Sequence, residues 1–329
     1  MKFRISPGWW PVMAAASPVL TPYLIHQARR FYEGRRKAAA INEERISRAK
    51  EIDMPEIEHL EITVVLDHRH EEGFLGDAGV SYLLKSEKGS VLMDVGFGPE
   101  RPSMRHNLKR LKTDAKDLDA LFISHLHPDH MGGLAAARRK SVLLPEGFQP
   151  RPDLPCFVPA ACAAPGMKPI LVDAPAMLPG GLASTGPLSR MLCFTGLTEE
   201  HAIIANLKGK GLFVLTGCGH QTIETLIALV RKLSPLPIHT FAGGLHFPIT
   251  ESRGSFRGIH FQQIFGTGKV WWERITDKDL DTAIQALNAS GIKRLLLSAH
   301  DSCDHALLRL SREVNAKTDV FRAGACTEM

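Results

Sequence analysis

Ser124-His125-Leu126-His127-Pro128-Asp129-His130-Met131-Gly132-Gly133 places three imidazoles and one carboxylate within a few positions of one another. The apolar, β-type run Leu118 to Ile123 precedes it, and an Ala-rich segment follows. Side chains two apart share one face of a strand, so a strand ending here aims His125 and His127 at one point. Asp129 and His130 fall on the turn into the next helix and point at a neighbouring spot. Neutral imidazole nitrogens and carboxylate oxygens are ligands that suit zinc, iron or manganese. The alternative is a polar loop with coincidental histidines, which 15 His in 329 residues makes a poor explanation.

Similar junctions recur along the chain. Leu60 to Leu66, Gly79 to Leu84 and Ser90 to Gly96 read as strands, and Arg105 to Leu111 as a short helix. The third strand ends in Asp94-Val95-Gly96. Gly211 to Thr216 is a buried-type strand running into Gly217-Cys218-Gly219-His220 and then a helix, Gln221 to Leu233. Gly243-Gly244-Leu245-His246 comes next, and Lys293 to Ser298 is a late strand followed by His300-Asp301. Residues 141–190 hold too many Pro and Gly for long elements, so loops and edge strands are expected there.

The motif resembles the His-x-His-x-Asp-His signature of the metallo-β-lactamase superfamily. That resemblance implies an α/β (α+β) fold: an αββα sandwich with metals at one edge between two sheets. It implies a hydrolase that uses metal-activated water on a small-molecule substrate. His125, His127 and His220 would hold a first ion, and Asp129, His130 and His300 a second. Asp129 would also be catalytic, orienting the water or accepting its proton. Asp94 would brace the ligands from behind. Cys218 stands where many members carry a bridging Asp, and is either a thiolate ligand or a small buried residue. His246 is a ligand, an acid, a substrate contact or a structural residue; Asp301 is a candidate support for an imidazole. One or two zinc ions are the expected cofactor, with iron or manganese as alternatives.

Within the superfamily, the order of motifs is similar to a branch that includes a dihydropterin–ribofuranosylaminobenzene-phosphate synthase. The segment His300-Asp301-Ser302-Cys303 departs from that branch's final motif. Two further readings therefore stand beside a general hydrolase. One is a phosphoester-handling, synthase-like or phosphodiesterase enzyme. The other is a membrane-attached assembly or carrier protein that kept the fold without hydrolysis.

Residues 1–55 read as a separate arm, and residues 56–329 as the catalytic domain, with an insertion at about 249–275. The arm carries the basic excess. Residues 1–50 have ten Lys/Arg against three acids, whereas the rest has 30 bases against 32 acids. A body that is not basic argues against nucleic acid as a partner. No charge occurs from Ile5 to Ile25, yet Pro7, Pro11, Pro18 and Pro22 interrupt that stretch, which disfavours a spanning helix. Tandem Trp9-Trp10 with a basic flank suits a membrane interface. Three readings stay open for the arm: a peripheral anchor or interfacial hairpin, an arm packed on its own domain or a partner subunit, or a cleaved signal or true span. Residues 27–50 read as a charged helix with Ala38 to Ala40, Ile41 and Ile46 on its apolar side. The insertion is either a mobile lid or a hairpin with Trp271-Trp272 as its anchor. Six scattered Cys without a C-x-x-C pair indicate a reducing compartment. A cytoplasmic protein, peripheral at the cytoplasmic membrane if the arm binds there, is the expected location. The sequence does not set the oligomeric state.

Overall fold

The computed structural model describes residues 4–329. Two sheets face each other. One runs Cys326–Glu328, Leu60–Leu66, Ser81–Ser86, Gly89–Met93, Ala120–Phe122, Leu154–Val158, Met167–Leu171 in spatial order. The other runs Lys317–Val320, Arg294–Leu297, Ile238–Gly243, Gly211–Thr216, Ile203–Leu207, Ala183–Ser184, Ala176–Met177, with Glu56–Ile57 added beside Ile203–Leu207.

The apolar runs read in the sequence are explained by burial on both faces. Val91 and Met93 point between the sheets, while Leu92 points outward under the helix Pro102–Leu111. Phe213 and Leu215 likewise face the other sheet, while Leu212 and Val214 pack under Ile223–Leu233 and Asp277–Ser290. The result is four layers, helix–sheet–sheet–helix.

Strand direction places the site. Gly89–Met93, Ala120–Phe122 and Leu154–Val158 are mutually parallel, as are Gly211–Thr216, Ile238–Gly243 and Arg294–Leu297. Parallel strands end at the same edge of a sheet, where functional loops gather. Asp94, the His125–His130 loop, Cys218, His220, His246 and His300 all follow the carboxyl ends of such strands. Leu60–Leu66 and Gly211–Thr216 fall as read, Ser81–Ser86 is shifted by two residues, and one strand ends early. Gly89–Met93 stops before Asp94 because that residue turns to φ +60. Residues 141–190 do supply edge strands, and Leu154–Val158 lies one position in from the edge.

The arm is helical through its prolines: Pro11 and Pro18 sit in the first turns of Trp10–Ala15 and Ser17–Arg48, where the missing N–H is not needed. Only Pro22 lies inside a helix. No helix among the described residues is long and apolar enough to cross a membrane. Ala28, Phe31 and Ala38 are buried, and Phe31 packs with Met191, Cys193 and Val270. Ile41 and Ile46 are partly covered, but Ala39 and Ala40 are exposed. Asn42 clamps the separate hairpin Leu188–Leu192/Gly196–Glu200 by donating to the Ser189 carbonyl (2.9 Å) and accepting from its N–H (2.7 Å). Arg45 adds an ion pair to Glu199 at 2.6 Å. The second half of the arm thus packs on its own chain.

Phe31→Ala is expected to cost about 3 kcal/mol through the cavity it leaves. Val19→Ala, at a position 80% exposed, should change stability little. Urea unfolding of both variants checks this, and equal midpoints would mean the helix is not docked.

Candidate metal centre

Six histidines converge where the two sheets' parallel strands end. His127 Nδ1 lies 3.0 Å from His125 Nε2 and 3.2 Å from His220 Nε2. Cys218 Sγ lies 3.1 Å from His130 Nε2 and 3.2 Å from His300 Nε2, and Asp129 Oδ2 is 3.6 Å from His130 Nε2. Three overlapping donor sets result: His125, His127, His220; Asp129, His130, Cys218, His300; and Cys218, His220, His246.

The hydrogen bonds behind the rings decide which nitrogen points inward. Asp94 accepts from the Ser124 N–H (2.7 Å), the Ser124 hydroxyl (2.6 Å) and His130 Nδ1–H (2.6 Å). With its proton given to Asp94, Ser124 Oγ is left to accept from His125 Nδ1–H at 3.0 Å. The same relay is built on the other sheet. Ser298 Oγ donates to Asp67 (2.6 Å) and accepts from His300 Nδ1–H (2.6 Å). His220 Nδ1–H donates to the Gly266 carbonyl at 3.0 Å. His125, His130, His220 and His300 therefore all present Nε2, as metal-ligating imidazoles do when an outer partner fixes the tautomer.

Burial lowers His125, His220 and His300 well below the ordinary imidazole range, and brings His127 down to about 3. These rings are neutral, with free lone pairs. Burial acts the same way on His130, but the Asp129 and Asp94 carboxylates outweigh it and hold that ring up at about 9. Burial also keeps the Cys218 thiol well above its usual value. The donor set fits a cation. A single His127 nitrogen cannot satisfy both neighbouring rings by hydrogen bonding, and tetrahedral ligands held about 2 Å from an ion sit roughly 3.3 Å apart.

His246 is strained at φ +55, and its buried Nδ1 has no hydrogen-bond partner. Strain of this kind persists where the surroundings enforce it, often at functional sites. Its backbone N–H donates to Asp301 Oδ2 at 3.0 Å. Asp301 thus holds the His246 backbone, while its carboxylate stays 3.8 Å from His300 Nε2. Gly217 is required by space: a Cβ there would come within 2.2 Å of Ser124 Oγ.

Three supports escaped the sequence reading. Glu200 is buried and accepts from the N–H groups of Cys218, Gly219 and His220 at 2.8–3.0 Å, which shapes the whole loop. Asp67 and Ser298 form the His300 relay. Asp67 was recoverable as a carboxylate at a strand end, like Asp94; nothing local marks Glu200. His201 is buried but structural, stacked on Phe122 and donating to the Ile123 carbonyl at 2.9 Å.

The insertion forms a roof. Ser255–Phe256 and Ile259–His260 make a hairpin leading into the short helix Phe261–Phe265. Gln262 donates to the His300 carbonyl at 2.7 Å, and Gly266 packs so closely on His246 that a Cβ would overlap its ring. Beside the roof lies a cavity of about 160 Å³, walled by His220, His246, Thr222, Phe247, Lys269 and Arg190. Lys269 is paired with Asp279 at 2.6 Å. The Arg190 guanidinium has Glu224 and Asp279 near it, but no acceptor within hydrogen-bond reach among the described residues. The Gly266 to Lys269 segment thus lines this cavity and does not form a phosphate loop.

Residues 75–145 match the model of the metallo-beta-lactamase superfamily. The matched stretch contains the His125–His130 loop, and it is this part of the chain that is similar to the superfamily. The fold is shared with Tm1679, described as a metal-dependent hydrolase of the beta-lactamase superfamily, at 18% identity and TM-score 0.57, over 82% of this chain and 99% of that one. It is also shared with the metallo-beta-lactamase fold protein YhfI from Bacillus subtilis, at 15% identity and TM-score 0.50, over 83% of this chain and 100% of that one. A comparison with curated proteins gave no match. None of these metallo-β-lactamase likenesses singles out the pterin branch.

Asp94→Ala should lower metal affinity about 10–100-fold, as loss of an outer partner typically does. Chelator competition followed by elemental analysis measures it. His201→Gln, by contrast, should leave metal content intact; a metal loss there would remove the distinction drawn between the two buried residues.

Proposed function

We propose that the protein is a metal-dependent hydrolase. The supporting observation is the convergence of six imidazoles, of which His125, His220 and His300 are neutral and present Nε2, with Asp129 at the open side. His125, His127 and His220 would hold one ion, and Asp129, His130 and His300 a second, with Cys218 between the two sets. His246 is a further donor. Zinc suits this mixture of nitrogen, oxygen and sulfur, and iron or manganese suits the histidine–carboxylate part. When bound, a divalent ion supplies Lewis acidity that acidifies water and polarises a carbonyl or phosphoryl oxygen.

The chain's own residues supply the rest. Asp129 is the carboxylate of the set that remains partly exposed, its side chain 21% accessible, so it can orient a water and take its proton. The roof from Gln262 to Gly266 limits bulk water over the rings. Asp94, Asp67 and Glu200 keep the donors aimed without reorganisation.

A second reading is favoured by one observation. Arg190 faces the cavity beside His220 and His246 with its donors uncommitted. A guanidinium fork matches phosphate or carboxylate oxygens. Substrates carrying such a group, phosphoesters among them, would anchor there.

Metal-loaded protein should hydrolyse members of a panel of lactones, thioesters, amides and phosphodiesters. Asp129→Asn should lower kcat about 10²–10⁴-fold while the ion on His125, His127 and His220 stays bound. Protein that holds metal yet cleaves nothing in the panel would favour the carrier reading. With any active anionic substrate, Arg190→Gln should raise KM and leave metal content unchanged. Equal KM for the variant would remove Arg190 from recognition.

A further inference from the structure

We infer that the N-terminal arm docks the protein on an anionic phospholipid surface and brings the roof of the metal centre to that surface. Beyond the contacts of residues 4–9, the first half of the arm exposes much of its apolar surface. Trp10, Val12, Met13, Val19, Tyr23 and Ile25 are all exposed, Trp10 by 51%. They lie on Trp10–Ala15 and the first turns of Ser17–Arg48, and project beyond the segment that Phe31 fastens to the body. Exposed apolar side chains concentrated in this way on one segment mark an interaction site.

Charge selects the occupant. No acid occurs between Ile5 and Tyr32, and Arg29, Arg30, Arg35, Arg36 and Lys37 are all exposed just beyond the apolar stretch. A second copy meeting this face across a two-fold axis would bring the same basic band against itself. An anionic bilayer accepts both parts at once. Trp and Leu-type side chains enter the headgroup boundary, and Lys/Arg lie over the charged headgroups.

The arm is also tied to the site. Arg4 donates to the carbonyls of Trp271 and Glu273, both at 2.7 Å. Ser6 N–H donates to Gly258 O (3.0 Å), His260 N–H to Arg4 O (2.9 Å), and Trp9 Nε1–H to Arg257 O (2.9 Å). The residues that clasp the roof hairpin therefore run directly into the apolar surface at Trp10. A docked arm sets the roof, and with it the mouth of the centre, against the bilayer.

Full-length, metal-loaded protein would be sedimented with vesicles of phosphatidylcholine containing about one-third phosphatidylglycerol, and with phosphatidylcholine alone. The expected result is binding to the anionic vesicles only, weakened by salt. Combining Trp10→Ser, Val12→Ser and Val19→Ser should weaken it about tenfold or more, because each removes apolar area from the boundary. Arg29→Glu with Arg30→Glu should do the same by charge. All five positions are exposed, and unchanged circular dichroism and metal content confirm folding. Wild-type protein that stays in solution with both vesicles overturns the inference. So does binding that neither variant set alters. Light scattering that finds a dimer, dissolved by the serine variant and without vesicle binding, assigns the surface to a second copy instead and likewise overturns it. None of these readouts depends on hydrolysis, so failure here is separate from failure of the hydrolase reading.

Discussion

The buried Asp94 carboxylate is the constraint on which the centre depends. It sits at the end of a central strand, in a left-handed conformation, with three hydrogen bonds arriving from the next parallel strand and its loop. Those bonds fix the Ser124 backbone, aim His130, and through the Ser124 hydroxyl aim His125. A short polar chain thus converts the register of two strands into the direction of two rings. Asp67 and Ser298 repeat the device from the opposite direction for His300, crossing from one sheet to the other. Neither carboxylate is placed to meet a substrate. Each holds apart imidazoles that would otherwise collapse onto one another.

The layout also explains why the donors come from such distant parts of the sequence. Each sheet contributes one edge where its parallel strands finish, and the two edges meet. The first sheet supplies a compact loop, His125 to His130. The second supplies single residues from successive strand ends: Cys218 and His220, then His246, then His300. Between them Glu200, on a hairpin strand, gathers three consecutive backbone N–H groups and keeps the Cys218 loop tight. Cys218 Sγ belongs to two of the donor sets, one with Asp129, His130 and His300 and one with His220 and His246.

Much of this was legible in the sequence because it is local. The His cluster, the strand-to-loop junctions at Asp94, His220 and His300, and the apolar runs all announce themselves within ten residues or so. The strand ends were read too long where a residue leaves the extended conformation, as at Asp94. What was not legible is long-range. Glu200 lies in a plain polar strand and acquires its role only through folding. For the arm, proline spacing was read against a spanning helix, and no described helix is long and apolar enough to cross a membrane; Pro11 and Pro18 occupy first turns, where proline is favoured. Of the two readings offered for the insertion, the hairpin is present, as Ser255–Phe256 paired with Ile259–His260.

The clasp between residues 4–9 and the roof joins segments some 248 to 269 positions apart. During synthesis residues 4–9 leave the ribosome well before their partners, which follow some 250 residues later. At roughly 5–20 residues per second, the interval is on the order of ten to fifty seconds. For that time the stretch around Trp9 lacks its contact with Arg257 and is open to capture by chaperones, by a neighbouring nascent chain or by a membrane. The last closing step of the roof is thus set by translation as much as by folding.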